Sequence, residues 1–206
     1  MESEIEKNNV SSAEGKDNTG ENKKKETKTY EEIEIPEGIN VECEDHKLVM
    51  KKDDRVVERM IHPFIVLKID GGRIIISTER DRKIERKLFG TNKAHIKNMI
   101  KGLEEGFTYK LKIANVHFPM TASHDKNKNE LVVKNFLGEK KDRRIKLVEG
   151  VDIKISEDAI EINGWDIEKA GQVATNIEKG TRVRNKDRRV YQDGIFISEK
   201  PGRVYN

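Results

Sequence analysis

One cysteine in 206 residues excludes an internal disulfide and any zinc cage built from cysteines. Cys43 sits in an alternating stretch and is expected to be a buried core thiol. Aromatic side chains are equally scarce, at 5% against 38% charged residues. That shortage argues against the aromatic-lined pockets that small-molecule enzymes favour, and it spreads the apolar content over modest cores. Long apolar runs are missing too: Ile74, Ile75 and Ile76 form one of the longest, far too short to cross a bilayer. The opening MESEIEKNNV has no basic start followed by an apolar stretch, so a soluble, unprocessed chain without a membrane partner is expected. The histidines, His46, His62, His95, His117 and His124, show no metal-ligand spacing, and no Gly-x-Ser-x-Gly elbow occurs. No catalytic residue, metal site or cofactor is expected, and the chain is not read as an enzyme.

What is abundant is charge, and its placement matters more than its sum of +3. Residues 1–29 hold 6 Lys/Arg against 7 Asp/Glu, residues 134–146 hold 6 against 2, and residues 180–206 hold 7 against 3. The remainder of the chain is mildly acidic. A basic excess confined to two segments is the footprint of a polyanion partner rather than of general solubility.

Residues 1–29 carry too little apolar surface to offset their ordering entropy and read as a disordered charged tail. From Tyr30 the texture changes. Glu31–Ile35 and Ile39–Cys43 alternate as half-buried strands on either side of Pro36-Glu37-Gly38. Phe64–Ile69 and Arg73–Ser77 flank Asp70-Gly71-Gly72, a hairpin turn whose glycines tolerate positive φ. In GTNKAHIKNMIKGLEEG, Ile96, Met99, Ile100 and Leu103 make a helical stripe that Gly106 can end, and His95 beside it reads as a surface or packing residue. The pattern returns in DIEKAGQVATNIEKG, where Ala170, Val173, Ala174 and Ile177 take the same spacing. A second echo joins 36–41 to 148–153 at a different offset.

Between the two helices, Tyr109, Leu111 and Ile113 alternate. Residues 122–130 read as a polar hairpin tip before Leu131-Val132-Val133, strands are expected around 151–155 and 159–162, and Trp165 is expected to anchor the second helix in the core. The fold class is therefore α+β, with two duplicated small domains, each a mainly antiparallel sheet with one packed helix, after a disordered N-terminal tail. The expected boundaries are 1–29 for the tail, 30–106 and 107–184 for the two domains, and 185–206 for a basic C-terminal segment.

Lys140, Lys141, Arg143, Arg144 and Lys146 form one basic cluster; Arg182, Arg184, Lys186, Arg188 and Arg189 form the other. The guanidinium fork suits bidentate phosphate contact, and counterion release supplies affinity without any base reading. Both clusters border turn and aromatic residues, Asn135-Phe136-Leu137-Gly138 and Tyr191-Gln192-Asp193-Gly194, which let a backbone approach a ribose-phosphate surface closely.

LFGTNKAHIKNMIKGLEEGF resembles the Gly-Thr-x-x-x-x-Ile-x-Asn-Met-x-x-Gly helix of the universal large-subunit ribosomal protein L-six family, called L-nine in eukaryotic ribosomes. YKLKIANVHFP, VKNFLGEKKDRRIKL and VRNKDRRVYQDGIFISEK resemble its eukaryotic and archaeal branch, and the motifs run in family order from about residue 30 to 200. The resemblance implies two similar α+β domains and no catalytic residues. It implies a structural constituent of the large subunit, working in cytoplasmic ribosomes beside the sarcin–ricin loop and the stalk base where translational GTPases dock. Its partners would be large-subunit rRNA, neighbouring ribosomal proteins and, indirectly, those GTPases. By motif match, rRNA contact falls on Asn135, Phe136, Gly138, Lys140, Arg143 and Arg144, and on Arg184, Asn185, Lys186, Asp187, Arg188, Arg189, Asp193 and Gly194. Lys141 and Arg182 join them from the charge clusters, with Tyr191 as a stacking or apolar anchor and Gly194–Ser198 folding back as a strand. The competing reading is a two-module protein-binding scaffold without RNA, its basic segments being solvated rims.

Overall fold

The computed structural model describes residues 30–79 and 82–205; the tail expected to be disordered, 1–29, lies outside them. Two copies of one strand–helix plan follow each other. The first runs β1 (Tyr30–Glu34), β2 (Asn40–Glu44), β3 (Lys47–Lys52), β4 (Arg55–Met60), β5 (Ile65–Asp70), β6 (Arg73–Thr78) and α1 (Lys83–Glu104). The second runs β7 (Phe107–Ala114), β8 (Thr121–Asp125), β9 (Glu130–Lys134), β10 (Arg143–Lys146), β11 (Val151–Ile155), β12 (Ala159–Gly164) and α2 (Ile167–Gly180). The strands β13 (Gly194–Lys200) and β14 (Arg203–Val204) follow.

Register shows the duplication directly. β1-β6-β5 form one antiparallel sheet with Ile33 opposite Ile74, and β7-β12-β11 repeat it with Leu111 opposite Ile160. The hairpin strands β2-β3-β4 and β8-β9-β10 form a second, smaller sheet in each copy. Each module therefore holds two sheets, where the sequence reading expected one. The two helices correspond as their shared stripe predicted, and all eight stripe residues are buried. The other echo does not survive: 36–41 leads into β2, whereas 148–153 leads into β11, whose counterpart is β5. A short turn followed by alternation recurs before many strands, and similarity of that kind does not imply a shared place.

Local rules account for most of these elements. Phe107, Tyr109, Leu111 and Ile113 alternate inward along β7, the last three meeting Ile160, Ile162 and the α2 stripe. Each fully buried branched side chain contributes roughly 1.5–3 kcal/mol. α1 begins at Lys83, about two turns before Gly90, where the expected helical stretch starts. The Glu85 carboxylate accepts from the Arg82 backbone N–H at 3.2 Å, and buried Phe89 and Asn92 continue the stripe. Asn92 hid that continuation because it is polar, yet its amide donates to the Leu88 carbonyl at 2.8 Å and is satisfied when buried. Gly106 closes the helix at φ 74°, as expected. The stretch 122–130 is mostly strand, with the tip confined to the residues between β8 and β9.

Two expectations are corrected. Cys43 is exposed: β2 is an edge strand and its alternation buries little of that row. Trp165 packs against the first module's core rather than the second's, under the Arg55 guanidinium at 4.1 Å from the ring centre. It belongs to the junction between modules. There Arg59 pairs with Glu168 at 2.6 Å and touches His95 Nε2 at 2.9 Å, so His95 is a packing residue as expected. Burial, reinforced by Arg59, lowers the His95 pKa and keeps this contact in the neutral form.

Candidate nucleic-acid interface

The two basic segments are distant in sequence, and the fold joins them. The first leaves β9 through Asn135 (φ 55°), Leu137 (φ 50°) and Gly138 (φ 75°). Asn and Gly enter this left-handed region readily; leucine does so rarely and must be held there by its surroundings. Phe136, only 1% exposed, roots the turn in the core, and the Asn135 amide donates to the Pro119 carbonyl at 2.8 Å. An added Cβ at Gly138 would stand 3.5 Å from the Phe118 ring, an ordinary contact, so it is the positive φ rather than space that favours glycine there.

The second segment leaves α2 at Thr181. Its buried hydroxyl donates to the Ile177 carbonyl at 3.0 Å and accepts from the Ile195 N–H at 3.1 Å, tying the helix end to the start of β13. Between these ties, the Asp187 carboxylate accepts from the Arg189 N–H at 2.9 Å, and the Asp187 carbonyl accepts from the Tyr191 N–H at 2.9 Å. That local turn projects Arg182, Arg184, Asn185, Lys186, Asp187, Arg188 and Arg189 into solvent. β13 then pairs antiparallel with β7, Ile195 opposite Ile113, so the returning strand expected after Gly194 joins the five-stranded sheet β11-β12-β7-β13-β14 of the second module.

Arg143 joins the segments. Its guanidinium grips the Glu139 carboxylate, donates to the carbonyls of Gly180 (3.0 Å) and Arg182 (3.1 Å), and lies 3.8 Å from the Phe136 ring centre. The Arg143 pair lowers the Glu139 pKa and keeps that carboxylate charged. With its donors committed inward, Arg143 acts as a clamp. Arg143→Ala is expected to cost about 2–3 kcal/mol, since two carbonyls and a carboxylate lose their donor. Arg143→Lys should recover little, because an ammonium cannot reproduce the fork. Lys140→Ala and Lys141→Ala, on exposed side chains, should leave the thermal midpoint unchanged. Melting curves of the four variants check this.

Asp193 also turns inward. Only 2% exposed, its carboxylate accepts from the Val116 N–H (2.9 Å), the His117 N–H (2.8 Å) and, at 2.6 Å, pairs with His117 Nδ1. Burial opposes its charge, but the hydrogen bonds from His117 and Val116 prevail and hold the carboxyl below its ordinary pKa of 3.8. The locked His117 ring stacks on Tyr191 at 4.9 Å, and Lys186 lies 4.4 Å from the other ring's centre, that of Tyr191. A depressed folded-state pKa stabilises above the unfolded value and is lost as pH falls through the folded one. Asp193→Ala should therefore lower the thermal midpoint at pH 7 and flatten its decline below about pH 4. A pH series of melting curves for both proteins measures each effect.

Of the residues expected at the interface, Asn135, Gly138, Lys140, Lys141, Arg144, Arg182 and 184–189 are exposed, and Arg143 ties the first segment to the second at Gly180 and Arg182. Phe136, Asp193 and Gly194 are buried, and Arg143 and Tyr191 are half-buried. Sequence reasoning passed over the loop of Val116, His117 and Phe118, as well as Lys179 and Phe196. His117 and Asp193 lie 76 positions apart, and only the β7–β13 pairing brings them together.

Among the described residues, Arg55, Arg59, Arg73 and Arg143 each have an acidic, carbonyl or aromatic partner. Arg144 stands 3.7 Å from Glu130. The side chains of Arg182, Arg184, Arg188 and Arg189 carry no such partner among the described residues and are exposed. The chain matches the family model of ribosomal protein L6 over residues 121–194, which spans both basic segments. It is 40% identical over 175 residues to the large ribosomal subunit protein uL6 of Methanococcus vannielii, covering 84% of this chain and 95% of that one. To the uL6 protein of Staphylothermus marinus it is 43% identical over 173 residues, covering 82% and 92%. With the alignment running through both modules and the loops between them, the chain belongs to the ribosomal protein L6 family, whose members are structural and non-enzymatic.

Proposed function

We propose that the chain is a structural constituent of the large ribosomal subunit in the cytoplasm and binds rRNA through the face built from residues 135–146 and 182–189. The observation that carries this is the set of four arginines, Arg182, Arg184, Arg188 and Arg189, held on ordered turns without acidic partners among the described residues. Arginines grouped at one site repel each other, and a phosphate backbone relieves that repulsion while releasing counterions. Lys140, Lys141 and Arg144 extend the same positive face, whereas Arg143, Phe136, Asp193 and Gly194 set its shape from beneath. Tyr191, braced by His117, is an anchor at its edge.

The finer placement, beside the sarcin–ricin loop and stalk base, rests on the family resemblance; there the protein would touch neighbouring ribosomal proteins and bear indirectly on translational GTPases. Sedimentation of tagged protein through a sucrose gradient tests the reading. Co-migration with large subunits, persisting after EDTA separates the subunits and lost on RNase digestion, is expected. Protein remaining in light, RNase-insensitive fractions would overturn it and favour a protein-binding scaffold.

A further inference from the structure

Beside the four arginines lies an open groove of about 820 Å³, within the range of small-ligand sites. We propose that this groove receives one unpaired nucleotide of rRNA, its base against Phe196 and its phosphate among Lys179, Arg182 and Arg188; the proposal rests on the rRNA-binding reading of this face.

A duplex backbone needs only cations, so the aromatic wall sets this groove apart. Phe196 is 37% exposed: along β13 it takes the face opposite buried Ile195, across from exposed Lys112 of β7, and β14 pairs with β13 only beyond it, at Glu199 and Lys200. Its ring lies over Gly194, close enough that a Cβ there would stand 2.9 Å from it, so glycine permits the ring's close approach to the backbone. A flat apolar surface is thus presented at the foot of a cationic rim. Tyr191, stacked on His117, forms the side wall. Three cations line the groove, and Arg182 and Arg188 have no acidic partner among the described residues. Two acids also line it: Asp193, whose carboxylate is taken up by Val116 and His117, and Glu178, whose Oε1 accepts from the Ile197 N–H at 3.5 Å and leaves one oxygen toward the groove. That second oxygen can accept from a base N–H donor. Aromatic platform, edge acceptor and surrounding cations match the three parts of an unstacked nucleotide, whose base stacks, whose edge donates and whose phosphate is anionic.

Large subunits from cells carrying wild-type protein, Phe196→Leu, Phe196→Tyr or Arg182→Gln decide the point by chemical probing of rRNA bases with dimethyl sulfate and a carbodiimide. One or two nucleotides protected in wild type should become roughly tenfold more reactive in Phe196→Leu, the loss of one stacking contact. Phe196→Tyr, which keeps the platform, should restore protection. Arg182→Gln alters an exposed side chain only and should expose the same nucleotides even if Phe196→Leu proves unstable. Unchanged reactivity in subunits that contain the variants would overturn the nucleotide site and leave a purely phosphate-binding face. Absence of the wild-type protein from large subunits would instead defeat the rRNA-binding reading itself.

Discussion

Replacing Arg182, Arg184, Arg188 and Arg189 together by alanine is expected to weaken association with large-subunit rRNA by roughly a hundred- to a thousandfold near physiological salt. The slope of log affinity against log salt should become shallower by about four, one unit for each phosphate contact removed. The folded protein should not notice the change. None of the four side chains has an acidic partner among the described residues, and all four are exposed. The backbone ties that shape the loop come from Asp187, Thr181 and Asp193. The double replacement Arg188→Ala with Arg189→Ala should move both quantities about half as far. Filter binding at several salt concentrations, set beside melting curves, separates the outcomes. A fall of more than a few degrees in the thermal midpoint would make these arginines part of the fold, and an unchanged salt slope would remove them from the RNA contact.

Gly102→Ala is expected to be the most damaging single methyl addition considered. An added Cβ would stand 2.0 Å from the Trp165 carbonyl oxygen and 2.9 Å from the Phe107 ring. The first obstacle is backbone, which cannot swing aside as a flexible side chain can. Alanine would gain up to about 1 kcal/mol in helix propensity over glycine. Overpacking against a fixed carbonyl costs about 3 kcal/mol or more, so the clash prevails and the midpoint should fall by several degrees. The same helix supplies its own control. Gly90 has nothing within 4 Å of an added Cβ, so Gly90→Ala should leave stability unchanged or raise it by about 0.5–1 kcal/mol. Because Gly102 lies where α1 meets the turn before α2, the variant should also loosen the junction that holds Arg59 to Glu168. Thermal melts of both variants, with hydrogen exchange at the junction, test the argument. Equal stability of the two would show that the modules can move apart at no cost.

The elements whose signals are periodic were readable in advance. The stripe Ile96, Met99, Ile100, Leu103 and its counterpart in α2 name a helix and its buried face, because both depend on neighbours within one or two turns. The β5–β6 hairpin followed from Asp70-Gly71-Gly72, whose glycines adopt the positive φ the turn requires. Cys43 misled because alternation states that two faces differ without stating that either is covered. The 148–153 echo misled for a related reason: a turn followed by alternating residues describes any strand entry, not a place in a sheet.

At the interface the division is sharper. Charge clustering and motif match located both basic segments, since those signals are carried by adjacent residues. Whether a given residue faces RNA or the interior is set by what lies across from it. Arg143 looks like its neighbours in sequence, yet the carbonyls of Gly180 and Arg182, brought alongside by the packing of α2 on β10, turn it into a clamp. Asp193 reads as part of a polar turn until the pairing of β13 with β7 delivers Val116 and His117 to its carboxylate. Phe196 carries no distinguishing mark in the sequence; its exposure over Gly194 exists because the returning strand lies beside β7 in one particular register. Local periodicity and charge therefore specified the modules and where to look on them. The choice between contact residue and scaffold residue came from pairings between segments up to about 80 positions apart, which no local pattern can encode.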